Sequence, residues 1–307
     1  MTQPRPRVLS DEVVARLAAF RLANHRRVQG RYAGAHRSRR LGSSLDFADE
    51  REYVPGDDPR SVDLNASRRL GRLLVKLYEA EDEAAVRVVV DLSASMGFGR
   101  KVAAAREVAA SFAAMAANGQ DRVRVLLVGG IPVDGDTITQ VDAGPWYRGP
   151  VTLPAVEHRL LGIAPPGSDG PAPGRAHLVA ALRQAHGEGP RGPVVLVSDL
   201  LFAGWEGTLR ALAAGRGDAI LVHLLGREDL EPSLRGDLRL VDAETGDDVE
   251  VGITEESLDD YRRTRDQWLA DVAAEAGALG IARVTALDDM DLSAGLLHEL
   301  RALGVVA

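Results

Sequence analysis

The feature that most constrains this chain is a short apolar segment that ends in an acid and two hydroxyls. Residues 86–96 read VRVVVDLSASM, and four of the first five are valine. Such a β-branched run is typical of a strand buried on both faces of a parallel sheet. Strands of this kind present ligand-binding groups at their carboxyl ends. Asp91, Ser93 and Ser95 stand at that end and carry the hard oxygen atoms that Mg²⁺ prefers. The same side chains would also suit helix capping, and the spacing alone leaves both interpretations open.

The chain after residue 85 alternates between strand-like and helix-like segments, which predicts an α/β fold with a mostly parallel sheet flanked by helices. Strands are predicted at residues 86–91, 123–128, 137–141, 193–199, 219–225 and 282–286. Helices are predicted at residues 11–28, 99–118, 151–161, 176–186, 205–214 and 291–303. Residues 238–251 alternate around Thr245 and Gly246 and predict a hairpin, and Thr254 is placed to cap a long helix after it.

A second acid ends the strand predicted at residues 193–199. This is Asp199, in the sequence PVVLVSD. Because parallel strands end at the same edge of a sheet, we expect Asp199 to converge with Asp91 and Ser95 within a few ångströms. His223, inside the apolar run AILVHLL, is expected to be a buried core residue rather than a ligand.

Composition and charge narrow the functional classes. The chain has 307 residues and no cysteine, so disulfides and thiolate metal sites are excluded. No apolar run is long enough for a membrane helix, and the polar start lacks a signal-peptide core, so a cytoplasmic protein is expected. The net charge is −8, but residues 1–42 hold ten arginines against two acids. With only Phe20 and Tyr32 there for base stacking, a solvated basic face or a surface for an acidic protein is expected rather than nucleic-acid binding.

Three regions are predicted. Residues 1–41 form a basic helical segment, residues 42–85 form a small polar subdomain packed on the main domain, and residues 86–307 form the main domain with a C-terminal hairpin, helix, strand and helix. The subdomain is too short and polar to fold alone. Its sequence PGDDPR at residues 55–60 is typical of a turn.

The subdomain and the strand end together resemble the bacterial domain-of-unknown-function 58 family, which contains a von Willebrand factor A-like domain. The resemblance runs from about residue 42 to the C-terminus. The residues that carry it are Gly42, Phe47, Arg51, Tyr53, Pro55, Gly56, Asp57, Asp58, Arg60, Asp63, Arg68, Val75, Lys76 and residues 91–96. Where the family usually has Glu and Trp, this chain has Asp46 and Leu64.

The resemblance implies a metal-ion-dependent adhesion site. Ser93 and Ser95 would ligate Mg²⁺ directly, Asp91 would act through water, and Asp199 would supply the second acid. It also implies a MoxR-type AAA+ ATPase as partner and a chaperone-like role in maturing other complexes, with the client protein unspecified. Arg51, Asp57, Asp58 and Arg60 would form a recognition surface, although turn chemistry explains most of the same segment.

One expected ligand is missing, and one enzymatic alternative stays open. The family places a threonine where this chain has Ala176, and a methyl group cannot ligate a metal. An acid at a strand end also resembles haloacid-dehalogenase-type phosphotransferases, with Asp91 as nucleophile. Those enzymes use a second Asp two residues later as general acid, where this chain has Ser93. A non-catalytic interaction module is therefore the favoured prediction, and a Mg²⁺-dependent phosphotransferase is the alternative.

Overall fold

The computed structural model describes residues 6–23, 47–57, 59–78, 84–133, 136–163, 175–187, 189, 191–215, 217–242 and 247–307. The strands in these ranges are β1 (Phe47–Glu52), β2 (Leu74–Tyr78), β3 (Ala85–Leu92), β4 (Arg122–Val133), β5 (Asp136–Ala143), β6 (Val194–Ser198), β7 (Ala219–Leu225), β8 (Gly236–Val241), β9 (Asp248–Ile253) and β10 (Ala282–Leu287). The helices are α1 (Asp11–Leu17), α2 (Leu64–Leu70), α3 (Lys101–Asn118), α4 (Thr152–Leu161), α5 (Arg175–Gly187), α6 (Trp205–Ala213), α7 (Arg227–Leu230), α8 (Glu255–Ala278) and α9 (Leu292–Ala302). The chain divides into a main unit of residues 1–27 and 84–307 and a small unit of residues 28–83.

The main unit is built on one six-stranded sheet. Its strand order is β10, β7, β6, β3, β4 and β5. The first five strands run parallel, and β5 pairs with β4 antiparallel at one edge. All eight residues of β3 are buried, as its run of valines predicts for a central strand. The predicted α/β fold with a mostly parallel sheet flanked by helices is confirmed.

Helices cover both faces of this sheet. The side chains of α1, α3, α4 and α9 pack with Val88 and Val90 of β3, whereas those of α5, α6 and α8 pack with Val89. Successive strand residues point to opposite faces, so the unbroken valine run supplies both cores at once. The result is a three-layer arrangement in which the sheet lies between two layers of helices.

The first helix is shorter than the predicted range of residues 11–28. Ser10 caps α1 by accepting a hydrogen bond from the backbone of Val13, but the helix ends at Leu17. Leu22 then forms an antiparallel bridge with Val306, close to the end of the chain. Backbone hydrogen bonds to the C-terminal segment thus replace those that would continue the helix. Residues 24–28 of the prediction lie outside the described residues.

The predicted C-terminal hairpin, helix, strand and helix are present as β8–β9, α8, β10 and α9. Thr254 caps α8, since its hydroxyl accepts from the Ser257 backbone at 3.2 Å. The Ser257 hydroxyl returns the contact by accepting from the Thr254 backbone at 2.9 Å. α8 has 24 residues, yet in the described part of the chain neither it nor any other helix is both long and apolar enough to cross a bilayer.

The small unit holds β1, α2 and β2. β1 pairs antiparallel with β2. The sequence pattern did not predict β1 or α2, because polar residues dominate both. Asp63 begins α2 by accepting from the backbones of Asn65 and Ala66 at 2.8 and 3.0 Å, and Gly71 ends it in a left-handed conformation.

Candidate functional site at the carboxyl edge of the sheet

The end of β3 places an acid and two hydroxyls in one tight turn. Asp91 is the penultimate residue of the strand, and the Ser93 backbone donates to its Oδ1 at 2.9 Å. Ser95 begins a short 3₁₀ turn, which brings its hydroxyl within 3.1 Å of the Ser93 hydroxyl. All three residues are buried. The alternation of residues in DLSAS therefore directs three oxygen-bearing side chains into the same interior space.

Asp199 meets this turn from the neighbouring strand. β6 lies beside β3 with Val197 level with Val90, so the residues that follow each of them are also neighbours. The Ser95 hydroxyl donates to Asp199 Oδ1 at 3.2 Å, and the Ser198 hydroxyl donates to Asp91 Oδ2 at 2.6 Å. The structure thus brings together the four residues predicted as a site, and we call Asp91, Ser93, Ser95 and Asp199 the edge cluster.

A buried lysine that the sequence pattern did not predict completes the cluster. Lys101 Nζ donates to Asp199 Oδ2 and to Asp229 Oδ2, each at 2.8 Å, and its side chain is 1% exposed. The chain has only two lysines, and this one lies in the first turn of α3, where the helix dipole disfavours a cation. A cation at such a position needs nearby acids, and that is the signal that could have identified it.

The charges of the cluster are strongly coupled. Burial, followed by the negative charge of Asp199, raises the pKa of Asp91 to about 7. Burial alone would lower the pKa of Lys101, but the charge of Asp199 and the hydrogen bonds to Asp199 and Asp229 outweigh it and raise that pKa. Two carboxylates, Asp199 and Asp229, therefore share one ammonium group, with the acid Asp91 close to Asp199, and the local charge favours a further cation or a proton.

The backbone that carries Asp199 is held on two sides. His223 of β7 is fully buried, and its Nε2 donates to the Asp199 carbonyl oxygen at 3.0 Å. Burial lowers the pKa of His223 to about 4, so the ring is neutral near pH 7. Leu200 has a φ of 55°, an uncommon conformation for a residue other than glycine, and its backbone donates to the Ser198 hydroxyl. His223 is a core residue, as predicted, that also positions the acid beside it.

Two further acids extend the pattern of strand-end carboxylates. Asp229 follows β7 and Asp288 follows β10, so four adjacent parallel strands each end near an acid. Asp288 Oδ2 accepts from the Arg100 backbone at 2.7 Å, which places the start of α3 against the end of β10. Gly99 is required there, since it has a φ of 59° and a Cβ atom on it would lie 2.5 Å from Asp288. Asp199 was predicted as a site residue because it ends a parallel strand. The same reasoning, which we call the strand-end rule, applies to these two acids.

Two oxygen–oxygen spacings in the edge cluster match those around a magnesium ion. Each ligand of octahedral Mg²⁺ lies about 2.1 Å from the ion, so neighbouring oxygens lie about 3 Å apart. The distance is 3.1 Å between the two serine hydroxyls and 3.2 Å from Ser95 to Asp199 Oδ1. Within the described ranges no three His, Cys, Asp or Glu side chains group as a metal site, so this one would depend on hydroxyls. Ala176 belongs to the first turn of α5, and a methyl group offers no ligand atom, so water would fill the remaining positions.

Two exposed apolar residues follow the residues of the edge cluster in the chain. Phe98 follows the serine turn and is 56% exposed, and Leu201 follows Asp199 and is 36% exposed. The Leu201 backbone donates to Asp199 Oδ1 at 3.2 Å, which fixes this residue beside the acid. Both residues follow strands that end at the same edge. If the two side chains form one surface with the cluster, it would combine apolar contact area with a polar centre, as protein-binding surfaces do.

The PGDDPR segment begins with a turn in the small unit that side-chain hydrogen bonds hold in place. Arg51 contacts both carboxylate oxygens of Asp57 at 2.7 Å, and Asp57 Oδ2 also accepts from the Val54 backbone at 2.9 Å. Gly56 has a φ of 107°, which a side chain would not tolerate. These contacts account for Arg51 and Asp57 as turn residues. Arg60 is exposed, and Asp58 lies outside the described residues.

Comparison with known proteins gives a family match and uncharacterised relatives. The model of the family described as "Protein of unknown function DUF58" matches residues 49–267. An uncharacterised protein of Mycobacterium tuberculosis, Rv1480, is 28% identical over 292 residues, which cover 94% of this chain and 88% of the relative. An uncharacterised protein of Mycobacterium avium, MAV169, is 32% identical over 128 residues, which cover 41% of this chain and 74% of the relative.

Two solved structures are also similar. One is the conserved hypothetical protein BatB from Bacteroides thetaiotaomicron, with 14% identity and a TM-score of 0.39 over 72% of this chain and 98% of that protein. The other is an aerotolerance-related membrane protein from Bacteroides fragilis, with 15% identity and a TM-score of 0.38 over 71% of this chain and 99% of that protein.

Proposed function

Because this chain belongs to the family of proteins of unknown function DUF58, we propose that it is a non-catalytic docking module of the von Willebrand A type. Its partner would be a MoxR-type AAA+ ATPase in the cytoplasm, acting with it in the chaperone-like maturation of other complexes. The observation that carries the proposal is the convergence of Asp91, Ser93, Ser95 and Asp199 at one sheet edge, beside exposed Phe98 and Leu201.

Magnesium is part of the proposal. Ser93, Ser95 and Asp199 would hold the ion, which supplies an open coordination position for an anionic oxygen of the partner. Asp91 would not contact it directly, since the Ser93 backbone and the Ser198 hydroxyl already occupy its two carboxylate oxygens. Its role is to orient the serine turn. Lys101 holds Asp199 Oδ2, which leaves Oδ1 facing Ser95.

We expect Ser95→Ala to weaken Mg²⁺ binding at least about tenfold, because it removes one of only three protein oxygens. Isothermal titration with MgCl₂ measures this affinity directly. Ser111→Ala is the matched control, since Ser111 is also buried but bonds to the Glu107 carbonyl inside α3. Equal Mg²⁺ affinity in the two variants, or none in the wild type, would remove the metal from the proposed site.

We expect Leu201→Asp to weaken binding of a purified MoxR-type ATPase at least about tenfold, as for a residue near the centre of an interface. Leu303→Asp is the control, because Leu303 is 45% exposed and follows α9, which runs from the carboxyl edge back to the opposite edge. Surface plasmon resonance with immobilised ATPase compares the two. Docking at the carboxyl edge is wrong if both variants bind like the wild type.

Two features of Asp91 argue against the phosphotransferase alternative. Its side chain has no exposed surface, and its raised pKa favours the protonated form, which is a poor nucleophile. Mg²⁺-dependent phosphatase activity that disappears in Asp91→Asn would nevertheless overturn the non-catalytic proposal.

A further inference from the structure

The hairpin formed by β8 and β9 stands apart from the central sheet and is inserted between β7 and α8. Because β7 and β10 are parallel neighbours, α8 must run from the carboxyl edge back to the amino edge. Trp268 of α8 packs edge-on against His223 of β7, with ring centroids 5.1 Å apart. The thirteen residues of α8 before Trp268 extend about 20 Å at 1.5 Å per residue. The hairpin therefore emerges at the same edge as the edge cluster and beyond the end of β7.

The base of this hairpin is tied to the edge cluster. Asp229 of α7 bonds to Lys101, and the Tyr261 hydroxyl of α8 donates to the Asp229 carbonyl oxygen at 2.6 Å. Arg265 of α8 also donates to the Leu230 carbonyl oxygen. α7 is thus held between the edge cluster and α8. A partner that binds at the edge cluster is therefore within reach of the hairpin.

One face of the hairpin is apolar and open. Leu238 pairs with Val251 and Leu240 pairs with Val249, so all four side chains lie on the same face. Leu240 is 37% exposed and Val249 is 57% exposed. The opposite face is polar, with Arg239 bonded to Asp248 at 2.7 Å.

The negative charge of the hairpin indicates which kind of partner surface would be complementary to it. Between Gly236 and Ile253 there are six acids and one arginine, a net charge of −5 out of −8 for the whole chain. Nucleic acids and anionic membranes are repelled by such a segment, and so is the hairpin of a second copy. A basic protein surface with an apolar centre is complementary in both charge and polarity.

We propose that the β8–β9 hairpin is a docking arm, whose apolar face binds a basic, apolar-centred surface on the same partner that docks at the edge cluster. This proposal rests on the proposed function and adds a second contact. In this proposal Leu240 and Val249 supply most of the binding free energy, and the surrounding acids increase the rate of association with the basic partner.

Two valine substitutions on opposite faces test the arm. Val249→Asp is expected to weaken binding of the MoxR-type ATPase by at least about tenfold. Val241→Asp is expected to change it by less than about twofold, although Val241 is equally exposed and sits opposite Asp248 on the polar face. Raising NaCl from about 50 to 500 mM is expected to weaken wild-type binding, since the salt screens exposed charges.

The outcomes separate the two proposals. If the wild type binds the ATPase and both Val249→Asp and Val241→Asp bind it with the same affinity as the wild type, the docking arm is overturned and the docking module stays intact. Binding that strengthens or stays constant with salt would overturn the basic partner surface. A wild-type chain that does not bind the ATPase would overturn both. Self-association of the chain in analytical ultracentrifugation, lost in Val249→Asp, would assign the arm to a second copy instead.

Discussion

Replacing Lys101 by methionine is expected to lower the free energy of unfolding by about 3 to 5 kcal/mol, the usual cost of removing one partner from a buried ion pair. Methionine keeps the length and apolar stem of lysine but leaves Asp199 and Asp229 without their shared cation. Asp91, already repelled by Asp199, would then face greater excess negative charge. Urea unfolding followed by tryptophan fluorescence is suitable, since Trp146, Trp205 and Trp268 all lie in the main unit.

Arg210→Met is the control for this prediction. Arg210 also pairs with an acid, Glu275, at 3.0 Å, but its side chain is 65% exposed, so its removal should cost less than about 1 kcal/mol. Adding Asp229→Asn to Lys101→Met is expected to recover part of the stability, because it removes one uncompensated charge. If Lys101→Met and Arg210→Met cost the same, the buried lysine does not stabilise the edge cluster.

Replacing His223 by glutamine is expected to flatten the acid dependence of stability. The pKa of His223 is about 4 in the folded chain, against about 6.5 in an unfolded one. As the pH falls below 6.5 the unfolded chain binds a proton and the folded chain does not. The contribution of His223 is therefore complete above pH 6.5 and is lost as the pH falls towards 4. The loss reaches up to about 3 kcal/mol at 1.36 kcal/mol per pH unit.

Between pH 7 and pH 4.5 we expect His223→Gln to lose about 2 kcal/mol less stability than the wild type. Urea unfolding at a series of pH values measures the difference. Asp91 acts in the opposite direction, because its raised pKa makes its contribution complete at low pH and lost as the pH rises towards 7. Comparison with the wild type cancels that effect. His298→Gln, at an exposed position in α9, should keep the wild-type slope, and equal slopes in both variants would contradict the prediction.

Much of the fold was predictable because local pattern and burial agree. The valine run of β3 is apolar on both faces, and the structure buries both. Thr254 was predicted to cap α8 and does so through contacts only three residues apart. The predicted range of α1 extended too far beyond Leu17, where pairing with a distant segment replaces the helix, and β1 and α2 were not predicted because a polar composition obscures their period.

The candidate site was predictable only in part. The strand-end rule identified Asp91 and Asp199, but not Ser198, whose hydroxyl bonds to Asp91 from the adjacent strand. Lys101 follows a turn and begins a helix, and nothing in the residues around it indicates that its side chain turns inward. Only the combination of a cation in the first turn of a helix with several strand-end acids elsewhere in the chain indicates such an inward lysine.

The sequence alone determined which residues form the strands of the central sheet, where those strands end and that oxygen-bearing side chains stand at the ends of β3 and β6, because these properties depend on the pattern of neighbouring residues. The tertiary structure decided that β6 lies beside β3, that Ser95 reaches Asp199 across them and that Lys101 is shared by Asp199 and Asp229. Strand order and the path of a long side chain depend on packing between segments about 100 residues apart, and no local pattern specifies them.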